Sequence, residues 1–74
     1  MLLETEREAI AYAVWRDAGC GKWRPDPSDV VKVSQRDSIM WVVFRKGAWP
    51  VPVESFNRFL VEYQQKLHTD ESKF

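Results

Sequence analysis

The sequence predicts a small α+β domain in which a helix, a three-stranded antiparallel meander and a second helix follow one another (α-β-β-β-α). Three observations carry that expectation. Ile39 to Phe44 is an unbroken apolar run of strand length. Turn residues bracket it, with Arg36-Asp37-Ser38 before and Lys46-Gly47 after. Segments with helical apolar spacing lie at either end of the chain. With 74 residues there is room for one domain spanning 1–74.

The first helix is expected over about 6–18. Thr5 and Glu8 have the spacing of a capping box, in which each side chain accepts from the other residue's amide. Ile10, Ala13, Val14 and Ala18 then form one stripe, widened by Ala11 and Trp15, with Trp15 filling space that the alanines leave. Gly19 and Gly21 end the helix, one of them in the left-handed position after the cap. Residues 19–29 hold two prolines and no periodicity, so they read as a loop.

A short strand follows over about 30–35, with Val31 and Val33 on one face and Lys32 opposite. The apolar strand covers about 39–45. Ile39, Trp41 and Val43 point one way, and Met40, Val42 and Phe44 the other. Gly47 turns the chain into a third strand over about 48–51, where Pro50 lacks an amide proton and argues for an edge. Pro52 suits the first turn of a second helix over about 53–68. Val53, Phe56, Leu60, Tyr63 and Leu67 are spaced alternately three and four apart, with Phe59 alongside. Residues 69–74 are expected to fray as a polar tail.

Composition narrows the function. Hydrophobic residues make up 45 % of the chain and the formal charge is zero, which suits a folded core and not a dedicated polyanion binder. Charge is uneven, however. Residues 1–17 set four acids against two arginines, whereas 22–46 set six cations against three aspartates. A single cysteine, Cys20, forbids an internal disulfide and favours a reducing compartment. The acidic N-terminus is unlike a signal peptide, and no apolar run approaches membrane-spanning length. The cytoplasm is the expected location.

Catalysis finds little support. His68 is the only histidine and stands at a helix end. Cys20, between two glycines, reads as part of the turn that stops the first helix. Gly19-Cys20-Gly21-Lys22 lacks the spacing of a phosphate loop, and one His with one Cys cannot assemble a metal site. No enzyme activity, cofactor, metal or small-molecule substrate is therefore expected. In element order and length the chain resembles double-stranded-RNA-binding domains. Those carry a lysine cluster at the start of the second helix, where this chain has Pro52-Val53-Glu54-Ser55. The likeness is one of order alone and carries no function.

What remains is a strand apolar on both faces in a chain with few elements to cover it. If both helices pack on one sheet face, the other is left for a partner. The expected role is a protein-binding or regulatory module, self-associating as a homodimer through that face. The candidate residues are Trp41 or its neighbours Met40, Val42 and Phe44, with Trp23, Arg24, Arg45 and Trp49 around the rim. The alternative is a nucleic-acid-binding module that uses the interleaved basic and aromatic residues of 22–49, with bases stacked on tryptophan.

Overall fold

The computed structural model describes the backbone of residues 2–69 and the side chains of residues 2–67. Of the tail expected at 69–74, Thr69 is instead the last residue of the second helix, and residues 70–74 lie outside the described residues. Helix α1 (Glu4–Asp17) leads through a single 3-10 turn (Pro27–Asp29) into the strands β1 (Val30–Arg36), β2 (Ile39–Phe44) and β3 (Gly47–Pro52). Helix α2 (Val53–Thr69) closes the chain. The sheet is an antiparallel meander in the order β1-β2-β3, so β2 is its middle strand. This is the expected α-β-β-β-α order.

α1 begins two residues earlier than the capping box predicts. The Leu3 amide donates to Glu6 Oε1 at 2.9 Å, so Glu6 does the work foreseen for Glu8. Glu8 is engaged elsewhere, accepting the Tyr63 hydroxyl at 3.1 Å. The C-terminus matches expectation. Gly19 takes φ +102° and its amide donates to the Arg16 carbonyl, while the Cys20 amide reaches back to Trp15. That pair of bonds is a Schellman ending, which satisfies carbonyls the helix would leave open. Ala18 is exposed, not part of the buried stripe. Trp15 is half-buried and donates its indole N–H to the Gly21 carbonyl, so it anchors the loop as much as it fills the core.

In β1 the expected alternation breaks. Val30 pairs with Phe44, but Lys32 pairs with Val43, leaving Val31 as an extra residue. This bulge changes the parity of the strand, so Val30 and Val33 share the core side and Val31 is 50 % exposed. Sequence alternation had placed Val31 beside Val33. The β2–β3 turn consists of Arg45 and Lys46, since Phe44 pairs with Gly47.

The core lies between the sheet and both helices. Ile10, Ala13 and Val14 from α1 meet Phe56 and Phe59 from α2 over Val30, Val42 and Val51, one valine from each strand. Val33, Met40 and Phe44 extend this face of the sheet. Both helices therefore pack on the same side. Seen along α1, the five consecutive residues Ile10 to Val14 are buried, because α2, the sheet and the 3-10 turn surround the helix.

A polar clamp ties the helices together. Arg16 grips Glu62 with two nitrogens, at 2.7 and 3.2 Å, and the Tyr12 hydroxyl donates to the same carboxylate at 2.6 Å. The Tyr12 and Tyr63 rings lean together at 5.3 Å. Donation from Tyr12, followed by the Arg16 contact, holds the Glu62 carboxyl below its ordinary range although burial opposes this. Burial above all, then the bond to Glu62, pushes the Tyr12 hydroxyl up to about 12.

These shifts set the pH window of stability. Glu62 has a depressed folded pKa, so its contribution is present above the unfolded value and is lost as pH falls through the folded one. Tyr12 has a raised folded pKa, so its contribution holds below the unfolded value and is lost as pH climbs toward about 12. Urea midpoints between pH 3 and 7 should fall less steeply on the acid side for Glu62→Gln than for the native chain. Identical slopes would mean that the clamp does not couple protonation to folding.

Candidate binding surface

The two faces of the sheet differ because only one meets the helices. On the outer face stand Ile39, Trp41 and Val43 of β2, all half-buried. Register places Ala48, Pro50 and Pro52 of β3 beside them on one flank, and Lys32, Ser34 and Arg36 of β1 on the other. Among the described residues no helix packs here. The result is an apolar strip two strands wide, with an indole in the middle of its β2 row and the two cations of β1 along one border.

The sequence-predicted residues do not gather on this strip. Trp41 lies at its middle, as expected. Met40, Val42 and Phe44 project to the opposite side, where Val42 is 0 % exposed and the other two pack against the core. The candidate list thus needs correction. Those three residues build the domain and do not face a partner, because the helices cover their side of β2. Trp49 pairs with Val42 and so belongs to the helix side, not to the rim of the outer face. Its indole N–H donates to Asp17 Oδ2 at 3.0 Å.

Trp49 instead forms a second feature with Trp23. The two rings lean at 33° with centroids 5.5 Å apart, over a shallow cleft of about 270 Å³ that also involves Pro25, Phe44, Asp29 and Lys46. Trp23 is 52 % exposed and is held by that ring contact at the mouth of the cleft. Arg24 turns its guanidinium over the Trp15 ring at 5.3 Å. Arg45 sits in the β2–β3 turn and donates its amide to the Asp29 carbonyl, so its backbone ties the turn to the 3-10 segment. Asp26 caps that segment by accepting from the Ser28 amide and hydroxyl, bonds that hold its carboxyl below the ordinary range.

The Cys20 thiol is exposed and accepts from Arg16 Nη1 at 3.1 Å, with no general base placed against it among the described residues. Among those residues, too, no group of three His, Cys, Asp or Glu side chains converges.

Ile39, Val43, Ala48, Pro50 and Pro52 are the surface residues that sequence reasoning missed. A signal for them exists. Lys32, Ser34 and Arg36 are polar at alternate positions, and a two-residue turn at Asp37 and Ser38 sets Arg36 opposite Ile39. Ile39, Trp41 and Val43 must then share the polar side of β1, away from the core.

A pair of substitutions distinguishes the two faces. Val42→Asp places an unpaired carboxylate in the core, at several kcal/mol, and should abolish cooperative thermal unfolding. Trp41→Asp should keep the far-ultraviolet circular dichroism and a cooperative melt. The reverse result would exchange the roles of the two faces. Compared with models of protein families, with curated proteins and with solved structures, the chain matches none.

Proposed function

We propose that this protein is a non-catalytic protein-binding module that self-associates through the outer face of its sheet. The observation that supports the reading is the row Ile39, Trp41 and Val43, bordered by Ala48, Pro50 and Pro52 and covered by neither helix. Apolar surface of this kind gains free energy when a second surface removes it from water. Tryptophan at the centre suits it as an anchor, since interface energy concentrates in such residues. The cytoplasm is the proposed location, supported by the single free cysteine.

Magnitude sets what kind of association to expect. Six residues at about 3.3 Å each, across two strands about 4.8 Å apart, outline an apolar strip of roughly 200 Å². That is well short of the roughly 800 Å² per partner of a standard stable interface. The dimer should therefore be weak and reversible, in the micromolar range or above.

A second reading has one observation in its favour. Lys32 and Arg36 stand on the same face as Trp41, an arrangement in which a base stacks on the indole while cations hold the phosphates. The neutral net charge weighs against it.

Light scattering over a concentration series from about 1 μM to 1 mM, the range such a weak dimer requires, tests both readings. The native chain should pass from monomer to dimer across the series. Trp41→Asp should raise the dissociation constant about thirtyfold by loss of the anchor, moving the monomer–dimer midpoint to correspondingly higher concentration. A native chain that remains monomeric throughout would remove self-association. Binding to a mixed-sequence oligonucleotide that weakens steeply with salt would favour the second reading.

A further inference from the structure

The two edges of the sheet differ in their capacity to accept another strand, and the difference follows from which amides face outward. Pro50 and Pro52 have no N–H, so they cannot occupy the positions of β3 that donate to β2. The Val53 amide, one step further along the same ladder, donates to the Ser38 carbonyl at 2.9 Å. Both facts assign the same parity: Gly47, Trp49 and Val51 bond to β2, and residues 48, 50 and 52 point outward. Of those three only Ala48 has a proton to give, so the β3 edge is closed.

The same parity passes through β2 to the opposite edge. Ile39, Trp41 and Val43 direct their backbone groups to β1, where Arg36, Ser34 and Lys32 meet them. The N–H and C=O groups of Val33 and Gln35 therefore point away from the sheet. None of them takes part in a hydrogen bond within the described residues. Beside this edge, on the helix side, opens an apolar groove of about 770 Å³. Val33 and Met40 floor it, Ile10, Leu60 and Leu67 wall it, and Glu6 stands at its rim.

We propose that the β1 edge takes up an extended peptide segment of another protein in the order acid, apolar, any residue, apolar, acid. The two apolar residues pair with Val33 and Gln35, and so project to the helix side and into the groove. The acids fall opposite Lys32 and Arg36 on the outer face, where opposite charges across a strand pair attract. Glu6 at the groove rim disfavours acids at the inner positions.

A second copy of this chain fits the edge badly. Only a two-fold axis through Ser34 lets Val33 and Gln35 of each copy bond to one another. That register sets Lys32 directly against Arg36 of the other copy, twice over, and like charges so placed repel. The charge of the edge thus selects an acidic partner. This inference concerns the strand edge and not the face, so it stands or falls independently of self-association.

The test is a titration of the isotope-labelled full chain with a synthetic peptide carrying the core acid-Val-Thr-Val-acid. Its counterpart replaces both acids with lysine. Nuclear magnetic resonance should show amide exchange at Val33 and Gln35 slowed upon binding of the acidic peptide, and no such effect with the lysine peptide. The double variant Lys32→Glu, Arg36→Glu should bind the acidic peptide roughly tenfold more weakly and should accept the lysine peptide instead. Gln35→Pro removes an outward amide without touching the β1–β2 ladder, and a folded Gln35→Pro chain should likewise lose affinity. Equal binding of the two peptides would overturn the proposal. So would peptide contact that leaves both amides unprotected, or protection of both amides in the free chain through pairing with a second copy.

Discussion

The rest of the molecule depends on the phase of β2. This strand is apolar at every position, so hydrophobicity alone does not say which side should turn inward. Its two neighbours decide the matter. Val51, between two prolines, and Val30 with Val33, around the bulge in β1, can be buried together only with Met40, Val42 and Phe44. Once Val42 is in the core, Ile39, Trp41 and Val43 are committed to the outer face. A slip of one residue relative to its neighbours would reverse every side chain of the strand and bury Ile39, Trp41 and Val43 in place of Met40, Val42 and Phe44.

Much of this architecture is legible in the residues, and the places where it is not have identifiable causes. Spacing along α2 identifies Phe56, Phe59 and Tyr63 as its buried face, and Gly19 marks the end of α1 by supplying a left-handed residue. The bulge at Val31 is invisible because strict alternation has no provision for an extra residue, and Val31 and Val33 look equivalent until the register is known. The start of α1 is misjudged for a different reason. Glu6 and Glu8 are equally spaced to cap, and the long-range hydroxyl of Tyr63 claims one of them. The candidate surface suffers most, since it combines residues from three strands whose alignment only the turn lengths reveal.

A domain of this size has little interior to spare, and the clamp between α1 and α2 shows how polar groups are used at its margin. Arg16 covers the face of Phe59 while its nitrogens hold Glu62, and Lys66 sits over the Tyr12 ring. The charges remain partly in water, so their desolvation penalty is modest, and their alkyl and aromatic parts still shield the core. Geometry is the main gain. Fixing α1 against α2 keeps both helices on one side of the sheet, so among the described residues no helix lies over the outer face.

The two sheet edges are guarded by physically different means, and the difference has consequences for recognition. On β3 the guard is the absence of donors at Pro50 and Pro52, which no partner can supply. On β1 the guard is the repulsion between Lys32 and Arg36 and their own copies, while the donors and acceptors of Val33 and Gln35 stay in place. A missing proton excludes every strand alike. A positive charge excludes only strands that carry the same sign, and its effect inverts for one that carries the opposite sign. An edge protected by charge is closed to self-pairing and selective toward everything else, which makes β1 the side of this sheet where specificity can arise.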